Sequence, residues 1–393
     1  MAEAYIVAAT RTAGGRKGGR LSGWHPADLA GQVLNALLDR SGADPALVED
    51  VIMGCVGQVG EQASNIARNA VLASRLPEAV PATSVDRQCG SSQQALHFAA
   101  QAVMSGAMDV VIAAGVESMS RVPMGAAVVL PRKAGLGDYM SPAIRARYPG
   151  VEEFSQFAGA EMMAAKYHLS KDQLDAFSLL SHQRATQAAQ AGKFMQEILP
   201  LEVRLQEGGA NGEMHTLDEG IRFNATLEGI SNVKPIREGG CISAANASQI
   251  CDGASGVMVV NERGLKALGV KPLGRIHHMS VIGHDPVIML EAPIPATERA
   301  LKKAGLSIRD IDLFEVNEAF APVPLAWLQV TGADPARLNV HGGAIALGHP
   351  LGSSGTKLMT TLLYGLAQTG GRFGLQTMCE GGGMAHITIV ERL

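Results

Sequence analysis

Short apolar runs alternate with amphipathic stretches along most of the chain. Residues 5–9 (Tyr-Ile-Val-Ala-Ala), 51–54, 83–86 and 109–115 have the length and apolar content of buried strands. Between them, residues 65–74 and 92–104 carry apolar positions at helical spacing. From about residue 271 the alternation resumes: strands at 274–283 and 311–316, helices at 297–304 and 319–330, and an extended pair at 339–340. A helix over 354–366 and strands near 375–379 and 385–390 complete it. Such alternation predicts a mostly parallel sheet covered by helices.

The two regions can be overlaid. The segment 43–51 resembles 306–313 in layout, and about 35 residues later each half has a helix start rich in Gly and Ser, at 89–92 and 352–355. Each then reaches a strand-to-turn segment, at Gly115 and near Gly381. Matching order and offsets predict duplication of one α/β unit, with chance likeness of two α/β halves as the alternative. Between the halves the texture changes: Pro123, Pro131, Pro142 and Pro149 precede helical stretches at 158–168 and 171–191, then a polar segment with Gly208, Gly209 and Gly212. An insertion of this size at a strand end is expected to lie over an active site. The predicted units are 1–119 plus 250–271, an inserted 120–249, and 272–393.

Composition narrows the classes. The chain has 393 residues, 47% hydrophobic and 18% charged, with 46 glycines and a net charge of −4. This suits a compact α/β enzyme and gives no global attraction to nucleic acid or acidic membranes. No apolar run approaches the roughly 20 residues of a membrane span. The N-terminus has neither a basic start nor a long apolar stretch, so the expected location is cytoplasmic. Five cysteines, at 55, 89, 241, 251 and 379, include no Cys-x-x-Cys pair, which argues against a disulfide framework and a structural metal. His277 and His278 are adjacent on a strand and point to opposite faces, so with His284 they make a poor chelate. No Gly-x-Gly-x-x-Gly follows a strand, and a dinucleotide cofactor has no support.

Cys89 stands at a strand-to-helix junction, where helix N–H groups favour a thiolate, and Gly90 leaves room beside the sulfur. His349 lies among the four glycines of residues 341–352 and is followed by Pro350, a rigid turn on which an imidazole can act as a base. Cys379 ends a strand before Glu380-Gly381-Gly382-Gly383; its thiol can exchange a proton at carbon, and the following N–H groups can bind an oxyanion. Asn317 follows a strand, where its amide holds a water or caps the next helix. For each cysteine a buried structural role is the alternative.

Taken together, Cys-Gly-Ser-Ser at 89–92, Asn-Glu-Ala-Phe at 317–320, Gly-Gly-Ala-Ile-Ala-Leu-Gly-His-Pro at 342–350 and Cys-Glu-Gly-Gly-Gly at 379–383 resemble the thiolases, in order and over the whole chain. The resemblance implies a thiolase-like fold: duplicated α/β halves in a five-layered α-β-α-β-α core, with the inserted loop domain covering the coenzyme A site. It implies that Cys89 takes the acyl group and that His349 activates it. It further implies that His349 and an Asn317-held water bind the thioester oxygen, that Cys379 handles the carbon proton, and that the Cys89 and Gly381 N–H groups form a second oxyanion hole. Ser248 would contact pantetheine, Arg222 the adenine end and Phe320 the tunnel wall, with Ala244 and Gln156 as further contacts. Coenzyme A and acyl-CoA are expected as substrates, with no permanently bound cofactor. Membership also implies a homodimer or homotetramer. Ser155-Gln156-Phe157, Ser92-Gln93 and His341 depart from the small biosynthetic members, which bears on acyl-chain choice. Ketoacyl synthases pair their cysteine with two histidines, whereas Cys379 holds the second position here. A non-catalytic thioester-binding relative would lack Cys89 or His349.

Overall fold

The computed structural model describes residues 2–205 and 209–393; Gly208 of the polar segment lies outside the described residues. Five strands of the first half run in the spatial order Ala82–Val85, Asp50–Gly54, Val110–Ser118, Cys251–Val260, Tyr5–Thr12. The first three are parallel, and Cys251–Val260 is antiparallel to both of its neighbours. In the second half Leu313–Val316, Phe373–Glu380, Met384–Glu391 and Gly274–Gly283 repeat that order and those directions. The expected strand at 339–340 is reduced to single bridges, one of them the parallel pair Phe314–Leu338, which still marks the place of the fifth strand. The same arrangement occurring twice is the structural form of the repeat. The two halves join edge to edge, antiparallel, where Tyr5 meets Arg275 and Ile6 meets Gly274.

Helices Ser91–Ser105 and Ser354–Thr369 pack on each other between the two sheet halves. Their contact is made by small and branched residues: Ala95, Ala99, Ala100 and Val103 share one core with Met359, Leu362, Leu363 and Leu366. Helix Pro26–Ser41 covers the outer face of the first half, where Val33, Leu34 and Leu37 meet Val7, Ile112 and Met258. Pro293–Ala304 and Pro322–Thr331 cover the second, with Trp327 fully buried and donating to Thr297 Oγ1 at 2.8 Å. The layering is α-β-α-β-α. Alternation along Cys251–Val260 serves both sides: Val257 and Val259 enter the central core, while Met258 and Val260 enter the outer one.

The chain between Ser118 and Cys251 packs back on the first half through a buried ionic cluster. Arg11 is fully buried and bonds Glu197 Oε1 at 2.6 Å and both oxygens of Asp218, at 2.8 and 3.1 Å. Fork geometry on two carboxylates is the arrangement that makes a buried guanidinium tolerable. No helix among the described residues is long and apolar enough to cross a membrane.

Candidate active site

The two central helices cross at their N-terminal ends, and that crossing assembles the site. Thr356 N–H donates to Ser92 Oγ at 3.0 Å. Gly355 lies so close to Gln93 that a Cβ there would sit 2.7 Å from the Gln93 Cα. Cys89 is two residues before one helix start and His349 five before the other, so the crossing draws the two segments together.

The turn into Cys89 is tight. Asp86 Oδ1 accepts the Gln88 N–H at 2.8 Å, and Gln88 itself adopts φ +50°. A non-glycine residue in this region is uncommon and marks local strain, here immediately before the reactive thiol. Cys89 is buried, as is Cys379. The N–H groups of Cys89 and Gly381 both point to the Cys89 sulfur, which supplies a pair of converging donors. The expectation that the helix end favours a thiolate needs correction: burial pushes the Cys89 thiol up to about 12, with the charge of Glu380 acting in the same direction. Cys379 is raised further by burial, then by Cys89 and Glu380. Both resting thiols are therefore neutral.

The role given to Gly90 also changes. A Cβ at Gly90 would overlap Glu380 Oε1 and sit 2.8 Å from His386 Nδ1. The glycine makes room for that pair rather than for substrate. Glu380 Oε1 bonds His386 Nδ1, and His386 Nε2 meets Gln94 Oε1 at 3.0 Å. Among the described residues the second Glu380 oxygen has no partner, which is costly for a buried carboxylate. Burial raises Glu380 well above the carboxylate range and lowers His386 to about 3. Both directions describe an uncharged pair with the proton on the carboxyl. In the resting state burial is then what holds Cys89 protonated.

His349 is buried and lowered to about 3, by burial first and by the Lys357 charge second. Its Nδ1 lies 2.5 Å from Ser354 Oγ. Ser354 donates its own hydrogen to the Pro350 carbonyl at 2.9 Å, so Nδ1 carries the imidazole proton and Nε2 is the unprotonated, accepting nitrogen. Asn317 Nδ2 stands 3.3 Å from that Nε2, which brings two residues 32 positions apart into one polar group. Glu318 holds the loop between them: it accepts from Ser181 Oγ, Asn339 Nδ2 and the Ile345 N–H.

A separate open cleft of about 490 Å³ is lined by His182, Arg222, Phe223, Ala244, Ala245, Gln249 and Ile345, among others. It borders the site at Gln249, whose carbonyl accepts the His349 N–H at 3.1 Å. Arg222 and Ala244 thus line this cleft. Ser248 lies one residue before Gln249, its N–H on the Ala319 carbonyl at 2.9 Å. Phe320 pairs with Ala247 and stacks edge-on against Phe157, centroids 5.4 Å apart. Gln156 begins the helix Gln156–Lys166 and reaches Met124 Sδ at 3.7 Å, away from the cleft lining.

Sequence reasoning passed over several residues that shape the site. Ser354 was open to detection, since it lies in the helix start that follows His349-Pro350. Glu117, which accepts the N–H groups of Val56, Gly57 and Gly352 and so ties two loops under the site, sits unannounced at a strand end. His386 reads as an ordinary inward strand position.

Comparison with known proteins agrees with this geometry along the full length. The family model described as "Thiolase, N-terminal domain" matches residues 4–263, and "Thiolase, C-terminal domain" matches residues 270–392. The chain is 52% identical over 398 residues to the steroid 3-ketoacyl-CoA thiolase FadA6 of Mycobacterium tuberculosis, covering 100% of this chain and 95% of that protein. It is 41% identical to the 3-ketoacyl-CoA thiolases of Aliivibrio fischeri and Cronobacter sakazakii, with 100% of each chain covered. Likeness of this extent, through both halves of a duplicated core, leaves no segment of the chain to another ancestry: it belongs to the thiolase family and is an acyltransferase.

Proposed function

We propose that this thiolase cleaves 3-ketoacyl-CoA with coenzyme A, giving acetyl-CoA and a shortened acyl-CoA, or runs the reverse Claisen condensation, through an acyl-Cys89 intermediate. The observation that carries the reading is the neutral His349 whose Nε2 is left unprotonated by the Ser354 bond to Nδ1 and faces the Asn317 amide, its weak donor at 3.3 Å.

His349 Nε2 takes the Cys89 proton as the sulfur attacks the 3-keto carbon, and the new oxyanion sits between the Cys89 and Gly381 N–H groups. The C2–C3 bond then breaks, re-forming the carbonyl on Cys89 and sending its electron pair into the thioester. The enolate oxygen meets the Nε2–H that His349 has just acquired, together with the Asn317 amide or a water it holds. Cys379 gives its proton to C2, and acetyl-CoA leaves. The incoming coenzyme A thiol returns a proton to the Cys379 thiolate and attacks the acyl-cysteine. Cys89 departs as thiolate and recovers its proton from His349, which closes the cycle in protons and electrons. Burial that keeps both thiols neutral at rest suits this scheme, because each ionises only when a partner accepts or supplies its proton.

Residues 1–119 with 250–271 and residues 272–393 would form the two catalytic halves, with 120–249 covering the coenzyme A site. Arg222 and Ala244 would line the adenine end, with Ser248 and Phe320 nearer the thioester and Gln156 on the acyl side. The protein would act in the cytoplasm as a homodimer or homotetramer, with no nucleic-acid partner. The likeness to a steroid thiolase and to general 3-ketoacyl-CoA thiolases favours degradation of bulky or long acyl chains. Incubation with acyl-CoA followed by peptide mass spectrometry should find the acyl group on Cys89; an adduct on Cys379 instead would overturn the assignment. A kcat/KM series over 3-ketoacyl-CoA substrates of increasing length and bulk tests the choice of substrate.

A further inference from the structure

Lys357 is a buried cation, 6% exposed, with no part in the steps above. It lies one turn after Ser354 on the Ser354–Thr369 helix. Its Nζ donates to the carbonyls of Leu347 at 2.7 Å and Gly348 at 2.8 Å. Leu347 ends the short helix Ala344–Leu347, Gly348 turns the chain with φ +79°, and the next residue is His349. Carbonyls at a helix C-terminus lack internal donors and carry partial negative charge, so an ammonium satisfies them on both counts. One helix thus grips the His349 segment twice, by Ser354 at the ring and by Lys357 at the backbone leading into it.

We propose that Lys357 is a positioning residue for the catalytic base: its ammonium fixes the turn that presents His349 and sets a buried positive charge on the backbone leading into the imidazole. This rests on the reading of His349 as base and goes beyond it by naming what keeps that base free. The groups facing Lys357 come from several elements: Arg11 from the Tyr5–Thr12 strand, Glu197 and Asp218 from the insertion, Cys251 from the Cys251–Val260 strand, and Glu315 from Leu313–Val316. Burial lowers the ammonium, while Cys251 and Asp218 support it. Glu315 lines one small cavity with Lys357, Asn317 and Ser354, and one of its oxygens has no partner among the described residues. Burial raises Glu315 well above the usual range, which favours its uncharged form beside the lysine. Lys357 is, after burial, the second cause of the lowered His349.

The test is the pH profile of kcat/KM for acetoacetyl-CoA thiolysis in Lys357→Gln, Lys357→Met and Lys357→Arg, beside His349→Ala. The two uncharged variants should lose about 10-fold or more in kcat, with the acid limb moved up by about one pH unit, because removing a nearby cation eases imidazole protonation. Lys357→Arg should keep the wild-type limb. An acid limb unmoved in a folded Lys357→Gln overturns the proposal, as does loss of fold in both uncharged variants while the arginine variant folds. If His349→Ala keeps near-wild-type kcat, the reading of the base itself falls; if it is inactive and the Lys357→Gln limb stays put, only the role of Lys357 falls.

Discussion

Ser354 Oγ accepts the Nδ1 proton of His349 at 2.5 Å while donating its own hydrogen to the Pro350 carbonyl. That chain of two bonds fixes the imidazole tautomer with no carboxylate behind it. A carboxylate there would raise the basicity of the ring and favour the imidazolium; a hydroxyl orients without adding charge. The base is then tuned to hold a proton briefly and return it. Ser354→Ala should therefore lower kcat by about 10- to 100-fold with KM little changed, since it frees the ring to rotate and exchange tautomers. Steady-state kinetics on acetoacetyl-CoA decide this, and an unchanged kcat would show that the glycine-rich turn alone holds His349.

His349→Ala should cost more, on the order of 10²–10⁴ in kcat, because it removes the base and an oxyanion donor at once. Asn317→Ala should cost less, since it leaves Nε2 in place. The reverse ranking would move the main burden of enolate stabilisation onto the amide.

The pH response of Cys89 follows from the direction of its shift. Burial holds the thiol at about 12, so alkylation by iodoacetamide in the absence of substrate should climb about tenfold per pH unit through neutral and mildly alkaline pH, with no plateau below about pH 10. A plateau near pH 7 would mean a preformed thiolate and a different first step. The linkage runs the same way: a folded value above the unfolded one of roughly 8.5 gives stability that is fully present below that pH and lost as pH rises toward the folded value.

Gly90→Ala should be severe although the change is one methyl group. The added Cβ meets the Glu380 carboxyl and His386 Nδ1 at 2.8 Å, both fixed by their own bond and by Gln94. Overpacking of a buried polar pair should cost about 2–3 kcal/mol, read as a lowered Tm, with most thiolysis lost. Wild-type stability would mean that the pair moves aside easily and does not brace the Cys89 turn.

The α/β layering is legible in the alternation of the chain, but the expected mostly parallel sheet is mixed, with the longest strands paired antiparallel, and the misses have physical causes. The helix Pro26–Ser41 carries an unusual cap, His25, whose Nδ1 accepts the Ala27 N–H, in place of the Ser, Thr, Asp or Asn that signals a helix start. The central strand Cys251–Val260 was obscured by Gly253 and Gly256, which read as turn residues. Gly256 is there because a Cβ would press on Leu37 and Val33 at 2.9 and 3.2 Å. In the site, Cys89, His349 and Cys379 stand out through nearby glycines and Asn317 through its place after a strand. Glu380, His386 and Lys357 act by burial and by partners six or more residues away, which the spacing of apolar positions does not signal.

The sharpest separation of roles concerns Cys379. During C–C bond making Cys89 carries the acyl group, so another residue must remove the proton from the acetyl carbon. Cys379 lies buried near Cys89, which adds to its resistance to ionisation. Its thiol is raised well above its ordinary value by burial first, which makes the thiolate a strong base once formed and well matched to a carbon acid. A serine at this position would need an alkoxide, several units more basic still, so Cys379→Ser should nearly stop both cleavage and condensation. Transfer of an acyl group from acyl-CoA to Cys89 involves no proton at carbon and should survive within about tenfold of wild type. Deuterium exchange into the acetyl-CoA methyl group, measured beside single-turnover acylation of Cys89, separates the two half-reactions. Loss of exchange with acylation retained assigns the carbon proton to Cys379. Exchange at the wild-type rate would leave that thiol a packing role next to the glycines and send the proton to His349.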